Sequence, residues 1–176
     1  MVKLYVCKVC GEPYLGEEAP NDCPFCGSPK NYMRSFEEYA ELWDTKLSEQ
    51  EKKGLKETLN LEINATAYYL NVSKQSKRYS KNNRLFKQLA RVEQEHANIV
   101  AKFLNIKLPE IKGEETRGSL EKDLERTKIL EVEAIKKYQE LFQSSQSPNL
   151  KNFYLALIHA EKGHRDISIE ELESLQ

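Results

Sequence analysis

The sequence predicts a mainly α-helical protein, in which a small domain held by four cysteines precedes a four-helix bundle. Long stretches rich in Glu, Lys and Leu, with only 7 Gly and 6 Pro among 176 residues, favour helices over most of the chain. All four cysteines lie between Cys7 and Cys26, in a segment too small to be stabilised by an apolar core. We therefore expect a metal-binding domain at residues 1–34, a connecting helix at 35–47 and a helical bundle at 48–176.

Charge and hydropathy exclude several classes of protein. The 27 basic and 28 acidic residues give a formal net charge of −1, so nothing favours binding to nucleic acid or to an anionic membrane. No apolar run approaches the roughly 20 residues that span a bilayer, and the first residues lack the apolar core of a signal peptide. We expect a cytoplasmic protein. In that compartment thiols stay reduced, so clustered cysteines favour metal binding over disulfides.

The cysteines form two copies of a Cys-x-x-Cys-Gly motif, one at residues 7–11 and one at residues 23–27. The glycine lets the backbone turn with a positive φ after the second cysteine. Four thiolates can then close a tetrahedral site around iron, although zinc ribbons share this spacing. Two local disulfides are the remaining alternative. The expected metal ligands are Cys7, Cys10, Cys23 and Cys26.

Apolar residues recur at three- and four-residue intervals in four long segments, which predicts amphipathic helices at about 49–79, 82–105, 119–144 and 148–172. A capping box at Ser35 predicts the short connecting helix, through about residue 46. In each long helix, Glu or His interrupts the apolar stripe near its middle. A bundle that only had to fold would carry Leu there, so these residues need an explanation.

The interruptions form a repeated pattern. Glu93 and His96 in the second helix, and Glu161 and His164 in the fourth, are three residues apart and so share a helix face. Glu62 in the first helix and Glu131 in the third complete the set. The spacing is 31 residues from Glu62 to Glu93 and 30 from Glu131 to Glu161, as expected for a duplicated helix pair. Four helices that supply these ligands predict a di-iron carboxylate site.

Charge balance supports this interpretation, because four buried carboxylates without cations would each cost several kcal/mol in desolvation. The simpler interpretation is that a Glu on so charged a helix faces solvent, as we expect for Glu95 and Glu133. His159 lacks a Glu three residues before it and is expected to be a packed or surface histidine. Tyr69 and Tyr138 follow their Glu by one heptad. They either donate hydrogen bonds to carboxylates across the bundle or are plain core tyrosines.

The segment from Tyr5 to Tyr32 resembles the rubredoxin module of the rubrerythrins, and with the bundle the resemblance covers nearly the whole chain. The order of the two parts is similar to that in reverse rubrerythrins. The resemblance implies a rubredoxin-like domain that holds one iron and a ferritin-like bundle that holds two. Typical rubrerythrins have an extra Glu three residues after the ligand on the third helix, where this chain has Ala134. A redox-linked iron shift is therefore not carried over, and His96 is expected to stay bound in both redox states.

The activity that the resemblance implies is reduction of hydrogen peroxide to water in oxidative-stress defence. The six bundle ligands would be the catalytic residues, and the four-cysteine iron would relay electrons from an NAD(P)H-dependent rubredoxin reductase. The resemblance also implies a homodimer in which one subunit's thiolate site approaches the other's di-iron site. The alternatives are a ferroxidase or iron-handling protein, a dioxygen reductase, and a zinc ribbon fused to a helical adaptor.

Overall fold

The computed structural model describes residues 2–38, 42–75, 82–112 and 115–175. The N-terminal part contains three antiparallel strands in the order β2-β1-β3, together with a short 3-10 turn that precedes β3. β1 ends at Cys7, so the first Cys-x-x-Cys turn lies between β1 and β2. We call residues 2–35, which contain the sheet and both cysteine turns, the knuckle. The three strands are β1 (Lys3–Cys7), β2 (Pro13–Gly16) and β3 (Met33–Ser35).

Four helices form the bundle, in which α1 packs mainly against α2, and α3 mainly against α4. The two pairs meet along α1 and α3. Ser48 caps α1 through a complete capping box, and Ser147 caps α4, which has Pro148 in its first turn. Within the described ranges, no helix is long and apolar enough to cross a membrane. The helices are α1 (Glu49–Ser73), α2 (Asn83–Leu104), α3 (Leu120–Ser144) and α4 (Pro148–Glu173).

The predicted end of the first long helix differs from the structure. α1 ends at Ser73 rather than near residue 79, and residues 76–79 lie outside the described part of the chain. Ser73 accounts for part of this difference, because its hydroxyl donates a hydrogen bond to the carbonyl of Leu70, a type of bond that competes with the helical ladder. The ends of α2, α3 and α4 lie within one residue of those predicted.

The predicted connecting helix at 35–47 is wrong. Phe36–Glu38 form a single 3-10 turn, residues 39–41 lie outside the described part, and residues 42–48 are irregular. A helix this short gains little from its own hydrogen bonds. The irregular path instead lets two consecutive apolar side chains contact the bundle. Leu42 is buried, and the Trp43 ring lies 4.5 Å from the Lys102 ammonium group.

The knuckle packs against α2 and α4 of its own chain. The Lys102 ammonium on α2 donates a 3.0 Å hydrogen bond to the carbonyl of Cys10. The Tyr32 hydroxyl donates a 2.8 Å bond to the carbonyl of Asn152 on α4. Gly27 approaches α4 so closely that an added Cβ would lie 3.4 Å from the Cβ of Ala160. These contacts fix the four-cysteine site above one side of the bundle.

Glu51 joins the start of α1 to the turn between α3 and α4. Its carboxylate accepts bonds from the backbone and hydroxyl of Ser48, and from the backbone N–H groups of Gln146 (3.0 Å) and Ser147 (2.9 Å). Burial alone would raise the pKa of Glu51, but the hydrogen bonds from Ser147, Ser48 and Gln146 lower it to about 2. The charged form is therefore built into the folded state.

We expect Glu51→Gln to lower the free energy of unfolding at pH 7 by about 1–3 kcal/mol, because an amide NH₂ would face two backbone donors. The folded-state pKa lies below the ordinary value of 4.5, so this stabilisation is present above that pH and is lost as the pH falls toward 2. Denaturant unfolding at pH 7 and at pH 4 should show the difference between wild type and variant narrowing in acid.

Glu49→Gln is the matched control, since Glu49 lies in the same turn with a side chain that is 89% exposed. Its effect should be much smaller than that of Glu51→Gln. Equal destabilisation by the two substitutions would contradict the role given to Glu51.

Candidate metal centres

The two cysteine turns have the backbone that the sequence predicts. Gly11 and Gly27 have φ values of 81° and 70°, in the left-handed region that glycine adopts without strain. In each turn the glycine N–H donates to the carbonyl of the first cysteine, at 2.8 Å to Cys7 and 2.9 Å to Cys23. The turns therefore present their cysteine side chains to a common point.

The four sulfur atoms form a buried cluster of tetrahedral dimensions. The Sγ atoms of Cys7 and Cys26 are 3.8 Å apart, and those of Cys10 and Cys23 are 3.7 Å apart. Thiolates that surround an ion at about 2.3 Å have sulfur–sulfur distances of about 3.8 Å, whereas a disulfide would bring them to about 2.05 Å. Thiol hydrogen bonds, the largest from Cys10, lower the pKa of Cys7. The cluster can hold one ion.

Sequence analysis did not identify Ser28 as part of this site. Its hydroxyl is buried, 3.1 Å from the Sγ of Cys7 and 3.3 Å from the Sγ of Cys26. A hydroxyl in this position can donate to thiolates and so stabilise their negative charge. Its position directly after the Cys-x-x-Cys-Gly motif was the available signal.

In the bundle, the structure brings together all six side chains that the sequence analysis selected. Five of them are at most 2% exposed, and His164 is 8% exposed. Their donor atoms form two groups, each within 4.8 Å, which share two of the carboxylates. One group contains Glu62, Glu93, His96 and Glu161, and the other contains Glu93, Glu131, Glu161 and His164.

Each shared carboxylate offers one oxygen to each group. Glu93 places Oε2 3.1 Å from the Nδ1 of His96 and Oε1 2.8 Å from the Nδ1 of His164. Glu161 places Oε1 3.2 Å from the Nδ1 of His96 and Oε2 2.9 Å from the Nδ1 of His164. Donor atoms around a first-row metal ion at about 2.1 Å lie about 3.0–3.4 Å apart. Glu93 and Glu161 are therefore placed so that each could share its two oxygens between two ions.

Two buried oxygens support this arrangement. Although each lies close to an imidazole Nδ1, Glu93 Oε1 and Glu161 Oε1 form no hydrogen bond of acceptable geometry with any residue in the described part of the chain. Burial raises the pKa of Glu62 to about 8, against the opposing charge of His96. It would raise that of Glu93 as well, but His164 and His96 hold the Glu93 pKa below its ordinary value. Two divalent cations would satisfy the orphaned oxygens and allow all four carboxylates to be charged.

Tyr69 and Tyr138 donate hydrogen bonds across the bundle, which confirms the first of the two alternatives for these residues. Tyr69 on α1 donates to Glu131 on α3, and Tyr138 on α3 donates to Glu62 on α1 at 2.5 Å. Each tyrosine therefore orients the terminal carboxylate supplied by the other helix pair. The exchange is symmetrical, as expected from a duplicated helix pair.

The Nε2 atom of His96 lies 2.9 Å from the backbone carbonyl of Cys26. The carbonyl can only accept, so Nε2 carries a proton, and Nδ1, which faces the carboxylates, is the nitrogen available to bind a metal ion. One hydrogen bond thus joins a cysteine of the knuckle to a histidine of the bundle cluster. The sequence contains no local signal for this contact, because the two residues are 70 positions apart.

The residues expected to lie outside the site do so, although Glu95, which was expected to face solvent as Glu133 does, is only partly exposed. The Glu133 side chain is 59% exposed, and Glu95 is half-buried beside Asn98, to which it is hydrogen-bonded at 3.2 Å. His159 is a surface histidine, 52% exposed, whose Nε2 lies 3.0 Å from Asp22 of the knuckle. Ala134 lines a cavity of about 20 Å³ between α1 and α3, and the four cluster carboxylates also line it.

Comparisons with known families agree with both centres. A family model described as the rubredoxin-like domain of rubrerythrin matches residues 5–34, and the rubrerythrin model matches residues 53–128. Reverse rubrerythrin-1 of Clostridium acetobutylicum is 29% identical over 113 residues, which are 58% of this chain and 62% of that protein. The match spans less than two thirds of the length of that relative.

Solved structures of bacterioferritins are similar in fold. Rhodobacter capsulatus bacterioferritin has a TM-score of 0.63 at 21% identity, over 73% of this chain and 87% of that chain. Mycobacterium tuberculosis bacterioferritin has a TM-score of 0.65 at 16% identity, over 74% and 89%. The cysteine and carboxylate–histidine clusters both fit iron binding. The chain is therefore similar to the rubrerythrin family in both of its parts, in the reverse order that places the rubredoxin-like domain ahead of a ferritin-like bundle.

Proposed function

We propose that this protein is a cytoplasmic peroxidase that reduces hydrogen peroxide to water in oxidative-stress defence, with electrons that enter through the knuckle. The observation that carries the proposal is the hydrogen bond from His96 to the carbonyl of Cys26. It connects a one-electron site directly to a cluster with room for two ions. The reaction H₂O₂ + 2 e⁻ + 2 H⁺ → 2 H₂O balances when each ion in the bundle gives one electron.

The proposed metal ligands are Cys7, Cys10, Cys23 and Cys26 in the knuckle, and the six clustered Glu and His residues in the bundle. Iron bound there would supply ferrous–ferric couples in both centres. The Cys26 carbonyl keeps His96 in the tautomer that binds a metal, and Tyr69 and Tyr138 hold the terminal carboxylates in place. Electrons would come from NAD(P)H through a separate rubredoxin reductase, and protons from water or the carboxylates.

Iron analysis tests the ligand assignment. Glu161→Ala should lower the iron content from about three ions per chain to about one, because Glu161 contributes to both groups in the bundle. Glu133→Ala, an exposed glutamate on α3, is the matched control and should retain all the iron. The red colour of ferric iron in four thiolates should persist in both variants. Equal iron loss from the control would contradict the assignment.

Anaerobic stopped-flow spectroscopy tests the activity. One equivalent of hydrogen peroxide should remove two equivalents of electrons from the reduced, iron-loaded protein. The visible absorbance of the oxidised knuckle should return in the same reaction. Glu161→Ala should lose this reaction, because the electrons then have no acceptor in the bundle.

Four outcomes would overturn the assignment. Peroxide consumption no faster than that by free ferrous iron would exclude a peroxidase, and faster turnover with dioxygen would identify an oxygen reductase. Large shells that mineralise added iron would identify an iron-storage protein. Colourless protein with zinc in the cysteine site and no metal in the bundle would identify a helical adaptor.

The docking of the knuckle on its own bundle predicts that the relay operates within one chain. The rate of electron transfer from knuckle to bundle should then be independent of protein concentration. Mixing a chain that lacks the knuckle iron (Cys10→Ser with Cys23→Ser) with a chain that lacks the bundle ions (Glu93→Ala with Glu161→Ala) should restore no activity. Recovery of about a quarter of the wild-type activity per chain, after the two variants have exchanged subunits, would show instead that the two centres are paired between subunits.

A further inference from the structure

The carboxylates of the bundle can be reached through a small cavity between α1 and α3. Its volume is about 20 Å³, which is room for about one molecule little larger than water. The cluster carboxylates lie at its inner end, where Glu93 Oε1 and Glu161 Oε1 form no hydrogen bond of acceptable geometry with the described residues. The rest of the lining consists of Tyr138 and four apolar side chains, which are Leu61, Ala65, Leu130 and Ala134.

The lining repeats between the two helices. In α1, Leu61 and Ala65 stand one residue before and three residues after Glu62, and in α3, Leu130 and Ala134 have the same positions relative to Glu131. Ala65 is half-buried, so the cavity approaches the surface there, and Ala134, which is buried at 9% exposure, lines the same cavity. A longer side chain at either position would fill the opening.

The cavity and the knuckle lie on different sides of the cluster. The knuckle contacts α2 through His96 and Lys102, and α4 through Asn152 and the close approach at Ala160. The cavity is bordered by α1 and α3. Electrons can therefore arrive from one side while a small molecule reaches the carboxylates from the other.

We propose that Ala65 and Ala134 form the entrance through which the oxidant reaches the bundle site, and that their small size selects the substrate class. Hydrogen peroxide and dioxygen pass between the two methyl groups, whereas a hydroperoxide that carries a tert-butyl group does not. This inference rests on the proposed function for the identity of the substrate. The entrance itself rests on the cavity and can be tested with an unreactive ligand.

The test uses the full iron-loaded chain with Ala65→Leu and Ala134→Leu, and with the smaller Ala65→Val and Ala134→Val should a leucine variant fail to fold. In both leucine variants, azide should bind to the oxidised protein at least about tenfold more slowly than in wild type, as followed by absorbance. Their reaction with hydrogen peroxide should be slowed by at least the same factor. Val132→Leu is the matched control, because Val132 is an exposed residue of α3. It should behave as wild type, and all variants should keep the wild-type iron content.

Two further measurements separate entry from electron supply. Ferricyanide, which is too large for the cavity, should oxidise the reduced knuckle at the wild-type rate in every variant. Leu61→Ala with Leu130→Ala widens the opening and should raise the rate with tert-butyl hydroperoxide at least about tenfold relative to the rate with hydrogen peroxide.

If leucine variants that carry all their iron bind azide and reduce peroxide at the wild-type rates, Ala65 and Ala134 do not form the entrance. An inactive wild-type protein whose azide binding is nevertheless blocked by the leucines would confirm the entrance and overturn the proposed function. Rapid reaction of the wild type with tert-butyl hydroperoxide would overturn the selection by size.

Discussion

Four glutamates in the interior of a helix bundle set the main physical constraint on this molecule. A carboxylate taken out of water loses several kcal/mol of hydration free energy, which only cations and hydrogen bonds can replace. The surrounding structure supplies both kinds of compensation. Two histidines present Nδ1 to the carboxylates, and two tyrosines donate to the terminal pair. Stability and iron binding therefore depend on the same side chains.

Duplication explains why the compensation is reciprocal. Each helix pair supplies one terminal Glu, one bridging Glu and one His, and each pair also supplies the tyrosine that orients the other pair's terminal Glu. Neither pair can complete its own half of the site. Polar contacts in the cluster thus join the pair α1–α2 to the pair α3–α4, in addition to the apolar core around them.

Periodicity allowed much of the site to be predicted. The i, i+3 spacing of Glu93 and His96 is local, so it places both on one helix face whatever the rest of the fold does. The contact of His96 with Cys26 could not be predicted in this way, because residues far apart in sequence meet only through packing. The same reason applies to Tyr32 with Asn152. The connecting segment was misjudged because its capping signal was outweighed by the burial of Leu42.

The hydrogen bond to Cys26 also makes the two halves of the cluster unequal. His96 is almost completely buried and tied to the knuckle, whereas His164 lies near the edge, 8% exposed, in the equivalent position of the other half. Outer partners of a ligating imidazole change its basicity and so the potential of the ion it binds. Two ions held by this cluster would therefore differ in potential, and the ion on the His96 side would be the one that the knuckle tunes. Two helix pairs with the same sequence pattern thus form a site whose two halves have different surroundings.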